Sequence, residues 1–321
     1  MKIINKFRTI EPYKQDHLFV TCASFEKRCL GAIKYASNYH AKKVLMYHFS
    51  EPCPKRDELA QELLSGLDSI GPVNVVRCEH GKANEYVKPI LSSVTNFGCQ
   101  LNDLKVTLDI STFPKLYLLE ILRILGGLQR PIFLQVLYTK PKYYAAPEEG
   151  SLSYGIKDIC VPPGYWGNVD PGKEDVLVVL LGFEEERVKA VIEDLEPNKV
   201  ILLLAKRGTS SQWNGYSERY NHNLLEQAEP GTIKPISAIQ PIQVMKCLER
   251  LWSSKKYSGK KLNYFILPLG PKPQIIGVYW FFTNYPQVSV IYGQALRHNE
   301  PYYSRGIGKM SNDLLRLPMI E

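Results

Sequence analysis

The chain has 321 residues, 45% hydrophobic and 22% charged, an ordinary globular composition with length for two cores. A formal charge of +8 is modest for this length; it suits an anionic ligand or a basic surface without marking a DNA-binding protein. Seven cysteines, an odd number with no Cys-x-x-Cys pair, exclude a disulfide framework or a zinc site and point to a reducing compartment. In chain order, Leu18–Ala23 is a short continuous apolar strand, and Phe25–Tyr39 has helical spacing, with Phe25, Cys29, Ala32, Ile33 and Ala36 on one face. Strands Val44–His48, Val73–Val76, Leu104–Ile110 and Ile132–Tyr138 then alternate with helices Lys55–Leu67, Asn84–Asn96 and Lys115–Leu125. The Pro/Gly-rich segment 146–173 reads as a linker, although Tyr165-Trp166 suggests some packing. The order then repeats. Strands fall at Asp175–Leu181, Lys199–Leu204, Thr232–Ile236, Leu262–Leu267 and Val288–Tyr292, and helices at Phe183–Asp194, Tyr216–Gln227, Ala238–Ser253 and Lys272–Phe281.

The expected fold is therefore α/β: two tandem Rossmann-like units, 1–145 and 174–321, each a mainly parallel five-stranded sheet with helices on both faces. The first residues lack the apolar core of a secretory signal, and no apolar run is long enough to span a bilayer. A cytoplasmic protein with no membrane partner is the expectation.

Short motifs recur with the elements. Ser24-Phe25-Glu26-Lys27-Arg28 follows the first strand, and Gly182-Phe183-Glu184-Glu185-Glu186-Arg187 follows its counterpart. Ninety residues after Phe25 stands Lys115, in Asp109-Ile110-Ser111-Thr112-Phe113-Pro114-Lys115; eighty-nine after Phe183 stands Lys272, in Leu269-Gly270-Pro271-Lys272. Both motifs follow the first and fourth strands, which flank the strand-order switch where open α/β sheets bind ligands. Proline suits a first helical turn, but lysine there opposes the helix dipole, so a bound anion would account for Lys115 and Lys272. Glu26, Glu184 and Glu185 also read as simple dipole partners, Phe25 and Phe183 as core anchors, and Arg28 and Arg187 as phosphate contacts or outward charges. At the second-strand ends stand His48 and Glu51, and Lys206, Arg207 and Ser210, whose run has donors suited to phosphate but no Walker pattern. Glu79-His80 reads as an acid–base pair or, more simply, as a solvated loop. The tyrosine pairs Tyr143-Tyr144 and Tyr302-Tyr303, near Lys140, Lys142, Arg297 and Arg305, read as base-stacking platforms or as packing. The histidines have no metal-ligand spacing, and no cofactor motif appears.

The segment Asp109–Lys115 resembles the ligand loop of the CARF family, the CRISPR-associated Rossmann-fold sensors, and the related SAVED domains, which are fused tandem CARF-like units. In those families a hydroxyl-rich loop ending in lysine, after the fourth strand, helps bind a cyclic oligonucleotide, and a loop after the first strand completes the pocket. The resemblance implies ligand contacts at Ser24, Ser111, Thr112 and Lys115, and at Gly182, Gly270 and Lys272 in the second copy. Thr-Phe-Pro-Lys stands where the family has a Gly-Gly-Thr-Lys-type run, and no effector domain is left over, so an effector would be a separate polypeptide. The expected function is binding of an anionic nucleotide-type ligand, in an antiviral defence setting, by Ser24, Arg28, Ser111, Thr112, Lys115, Gly182, Arg187, Lys206, Arg207, Gly270 and Lys272. One alternative is an enzyme acting on a nucleotide or phosphodiester, of ring-nuclease or transferase type, through Asp109, Ser111 and Lys115. The other is a structural subunit whose apolar helices meet a partner. Nucleic acid as a partner is not strongly indicated, and whether the chain is an enzyme stays open.

Overall fold

The computed structural model describes residues 15–35, 39–79, 83–98, 103–128, 130–207, 211–300 and 303–317. It is a mixed α/β protein built on parallel sheets, and its packing divides into two compact units, 1–143 with 304–321, and 144–303.

Unit 1 contains β1 (Gln15–Cys22), β2 (His40–Phe49), β3 (Val73–Cys78), β4 (Leu104–Asp109) and β5 (Ile132–Tyr144), joined through α1 (Gly31–Tyr35), α2 (Pro54–Leu67), α3 (Ala83–Gly98) and α4 (Lys115–Gly126). β1 to β5 pair in parallel in the order β5-β4-β1-β2-β3, so the switch falls between β1 and β4. Continuous apolar runs suit these central strands because both faces are covered. Phe19, Val44 and Met46 pack with α1 and α2 residues such as Ala32, Leu59 and Leu63. The opposite face carries Tyr47, whose hydroxyl donates to the Tyr86 carbonyl of α3 at 2.6 Å, and Tyr86 meets Tyr117 of α4 edge-on at 4.6 Å.

The unit 1 sheet has six strands, not the expected five. The sixth, β13 (Ser304–Leu317), lies beside β5 and comes from the end of the chain. Its sequence carries two glycines and no sustained apolar alternation, so it lacks a strand signature. The helix expected over Phe25–Tyr39 begins instead with a 3-10 turn, Lys27–Leu30, before α1; residues 36–38 lie outside the described residues.

Unit 2 repeats the topology. β7 (Glu174–Leu180), β8 (Lys199–Arg207), β9 (Ile233–Ser237), β10 (Leu262–Pro268) and β11 (Ser289–Val290) form a parallel sheet in the order β11-β10-β7-β8-β9. Its helices are α5 (Glu185–Leu195), α6 (Ser211–Tyr220), α7 (His222–Glu226), α8 (Pro241–Trp252) and α9 (Pro273–Asn284). A separate antiparallel ribbon joins β6 (Ser153–Cys160) to β12 (Tyr292–His298). The segment 146–173, read as a linker, thus carries a strand and lies in unit 2. Within it Tyr165 is fully buried against Phe282, whereas Trp166 is exposed.

Candidate functional site

At the switch point of unit 1 the polar side chains bond to one another. Asp109, at the end of β4, accepts from the Thr21 hydroxyl of β1 at 3.0 Å, from the Ser111 backbone N–H at 3.0 Å and from the Ser111 hydroxyl. Ser111 Oγ also accepts from the Thr139 N–H of β5 at 2.8 Å, and Thr112 donates to the Cys22 carbonyl at 2.7 Å. Ser24 Oγ accepts from the Glu26 N–H at 3.2 Å. Asp109, Ser111, Thr112 and Ser24 are all buried. Burial pushes the Asp109 carboxyl above the usual range, against the lowering effect of the Ser111 and Thr21 bonds and the Arg28 charge. These residues tie the ends of β1 and β4 to the middle of β5. Lys115 opens α4 just beyond them, half-buried, behind Pro114, and no side chain caps the helix.

Unit 2 has the same plan in different residues. Lys272 is the N-cap of α9, Pro273 is its first residue, and again no side chain caps the terminus. Gly182, after β7, comes so close to the β10 loop that a Cβ on it would stand 2.3 Å from the Leu269 carbonyl oxygen. Its own carbonyl accepts from Asn221 at 2.9 Å and Ser217 at 3.2 Å. A Cβ on Gly270 would collide with the Gln274 side chain, which is buried and donates to the Ser237 carbonyl at 2.9 Å. The glycines therefore let loops and side chains pack closely. Lys206 and Arg207 end β8, with side chains outside the described residues; Ser210 also lies outside them.

The arginines of the repeated motif sit inside the protein. Arg28 makes a bidentate pair with Glu26, at 2.9 and 2.8 Å, and donates to the Thr139 carbonyl at 3.5 Å. Glu26 also accepts from the Ser304 hydroxyl of β13. In unit 2, Arg187 donates to Glu184 at 2.6 Å and through two nitrogens to the Gly293 carbonyl, while Ser153 of β6 donates to Glu184 at 2.6 Å. Arg28 lies 6.0 Å from the Tyr138 ring centre, and Arg187 lies 5.3 Å from that of Tyr292. Burial opposes the Arg187 charge, but Glu184 beside it holds its pKa above the usual value. Neither arginine faces solvent. Sequence spacing located this repeated cluster but could not reveal Ser304 and Ser153 as its third members.

Of the tyrosine pairs, Tyr143 is exposed, Tyr144 meets Phe183 edge-on at 5.5 Å, and Tyr303 meets His298 edge-on at 5.4 Å; Tyr302 and His80 lie outside the described residues. Among the described residues, no three His, Cys, Asp or Glu side chains gather as metal ligands, and no helix is long and apolar enough to cross a membrane.

No protein-family model matches the chain, and no curated protein matches it. Among solved structures it aligns with the cytoplasmic domain of a prokaryotic cation chloride cotransporter, at 10% identity over 89% of this chain and 99% of that one, with a TM-score of 0.26. It also aligns with a functionally unknown protein from Pseudomonas aeruginosa, at 8% identity over 87% and 93%, with a TM-score of 0.27. Neither likeness is close enough to bear on fold or function.

Proposed function

We propose that the two units are copies of one Rossmann-like module, and that each binds an anionic group of a nucleotide-type ligand where its fourth-strand loop enters a helix. The carrying observation is that α4 and α9 occupy equivalent places beside the switch point, each opened by proline and lysine. The positive end of the helix dipole favours an anion there, and Lys115 and Lys272 add charge. Glu26 and Glu184 already engage Arg28 and Arg187, so the lysines and the backbone carry the binding role.

Binding is favoured over catalysis because Asp109 and Ser111 are buried and consume each other's hydrogen-bonding capacity. A docking role for the apolar helices loses its motive as well: Leu116–Leu122 and Pro273–Phe282 are buried within the chain. The CARF-like loop makes a cyclic oligonucleotide the first ligand to test, with a separate effector protein in a cytoplasmic defence system. Mass spectrometry of small molecules released from natively purified protein, followed by titration with mono-, di- and cyclic oligonucleotides, tests the reading. A phosphate-bearing compound that rebinds supports it. Absence of such a compound, together with no binding across the panel, refutes it.

A further inference from the structure

A cavity in unit 1 lies away from the switch-point residues. It has a volume of about 290 Å³ and opens between β2, β3 and α2. Parallel pairing sets Met46 beside Val75 and His48 beside Arg77, so the two strands present an apolar step followed by a polar one. Above them, Asp57, Ala60, Gln61 and Leu64 form an i, i+3, i+4, i+7 stripe on α2. Met46, Ala60, Leu64 and Val75 make the apolar floor, and His48, Glu51, Asp57 and Arg77 place both charge signs at the rim.

His48 is engaged within the chain. Its Nε2 lies 2.9 Å from the Asp57 carboxylate, which selects the tautomer with the proton on Nε2. Nδ1 is then an acceptor, and it is buried with no hydrogen-bond partner among the described residues. That nitrogen is closed to solvent, so the polar groups His48 leaves to the cavity are those of its neighbours at the rim. Arg77, in register with His48, is exposed and suited to a carboxylate. Asp57 and Glu51 add negative charge on the same rim.

We propose that this cavity binds a small zwitterion of free amino acid type, its carboxylate on Arg77 and its ammonium between Asp57 and Glu51. The apolar floor would take the ligand's side chain. The volume fits a ligand of that size, near the lower end for small-molecule sites.

The test is isothermal titration of the full chain with each of the twenty proteinogenic amino acids, and of the best ligand's N-acetyl and methyl ester derivatives. At least one amino acid should bind saturably, both derivatives should bind at least tenfold more weakly, and Arg77→Met should weaken binding at least tenfold. No binding by any of the twenty overturns the proposal, as does equal binding of either derivative. Unchanged affinity in Arg77→Met also overturns it; Arg77 is exposed and makes no hydrogen bond or ion pair among the described residues, so this variant should fold normally. Nucleotide binding at α4 and α9 uses other residues, so each claim can fail without the other.

Discussion

Glu26 and Arg28 are two residues apart, and each is almost wholly removed from water. A buried charge is tolerable only when paired and hydrogen-bonded, a condition met by the bidentate contact, the Thr139 carbonyl and the Ser304 hydroxyl. Arg28→Met strands the Glu26 carboxylate and should cost about 3–5 kcal/mol in urea unfolding, whereas Glu26→Leu with Arg28→Met should cost less than the single change. Equal or greater loss in the double variant would contradict this. Glu120 of α4 is a different case: it is buried, its Oε2 has no hydrogen-bond partner among the described residues, and burial pushes its carboxyl up to about 7 from 4.5. Between those pH values the folded chain keeps a proton that the unfolded chain has released, so stability falls as pH rises. Glu120→Gln should therefore exceed the parent's stability at pH 8, by up to about 3 kcal/mol, with the gain vanishing near pH 4.5. Denaturant midpoints across that range check the sign; a gain that does not change with pH would contradict it.

The central strands and their helices are legible in the sequence because Leu18–Cys22, Val176–Leu180 and Leu262–Leu267 are buried and so are apolar but for Thr21 and Asn263. Strands β6 and β13 are not, because they gain order from partners remote in sequence: Ser304 and Glu26 are 278 residues apart. Gly155 interrupts β6 and Gly306 interrupts β13, both at positive φ, which further blurs any alternation. The same distance hides the role of the arginines, since Phe-Glu-Lys-Arg reads equally well as a phosphate contact until the strand that covers it is known. Ending the chain after Tyr303 should uncover Glu26 and the outer side of β5. Hydrogen exchange over 132–144 should then rise by about tenfold or more; unchanged protection would show that β13 adds nothing to the sheet. Two glycines in unit 2 should respond in opposite ways to alanine. Gly215 lies inside α6 with nothing near its would-be Cβ, so Gly215→Ala should gain about 0.5–1 kcal/mol. Gly182→Ala would press on the Leu269 carbonyl and should cost about 1–3 kcal/mol. Thermal unfolding of the pair separates the two effects.

At the scale of the molecule, both units place the first strand beside the fourth, and both put a proline and a lysine at the helix that follows. The loops between differ: unit 1 locks its strand ends with Asp109, Ser111 and Thr112, and unit 2 does so with Gly182 and Gln274. On the proposed reading, what the two copies share is the anion-facing end of α4 and α9, while the locks beneath have diverged. The most direct measurement is calorimetric titration of the intact chain and its Lys115→Ala, Lys272→Ala double variant with a cyclic oligonucleotide panel, alongside thermal unfolding of both. The account predicts saturable binding by the parent and a loss of about 100-fold or more in the variant, with stability changed by no more than about 1 kcal/mol. Binding of equal strength in parent and variant would contradict it.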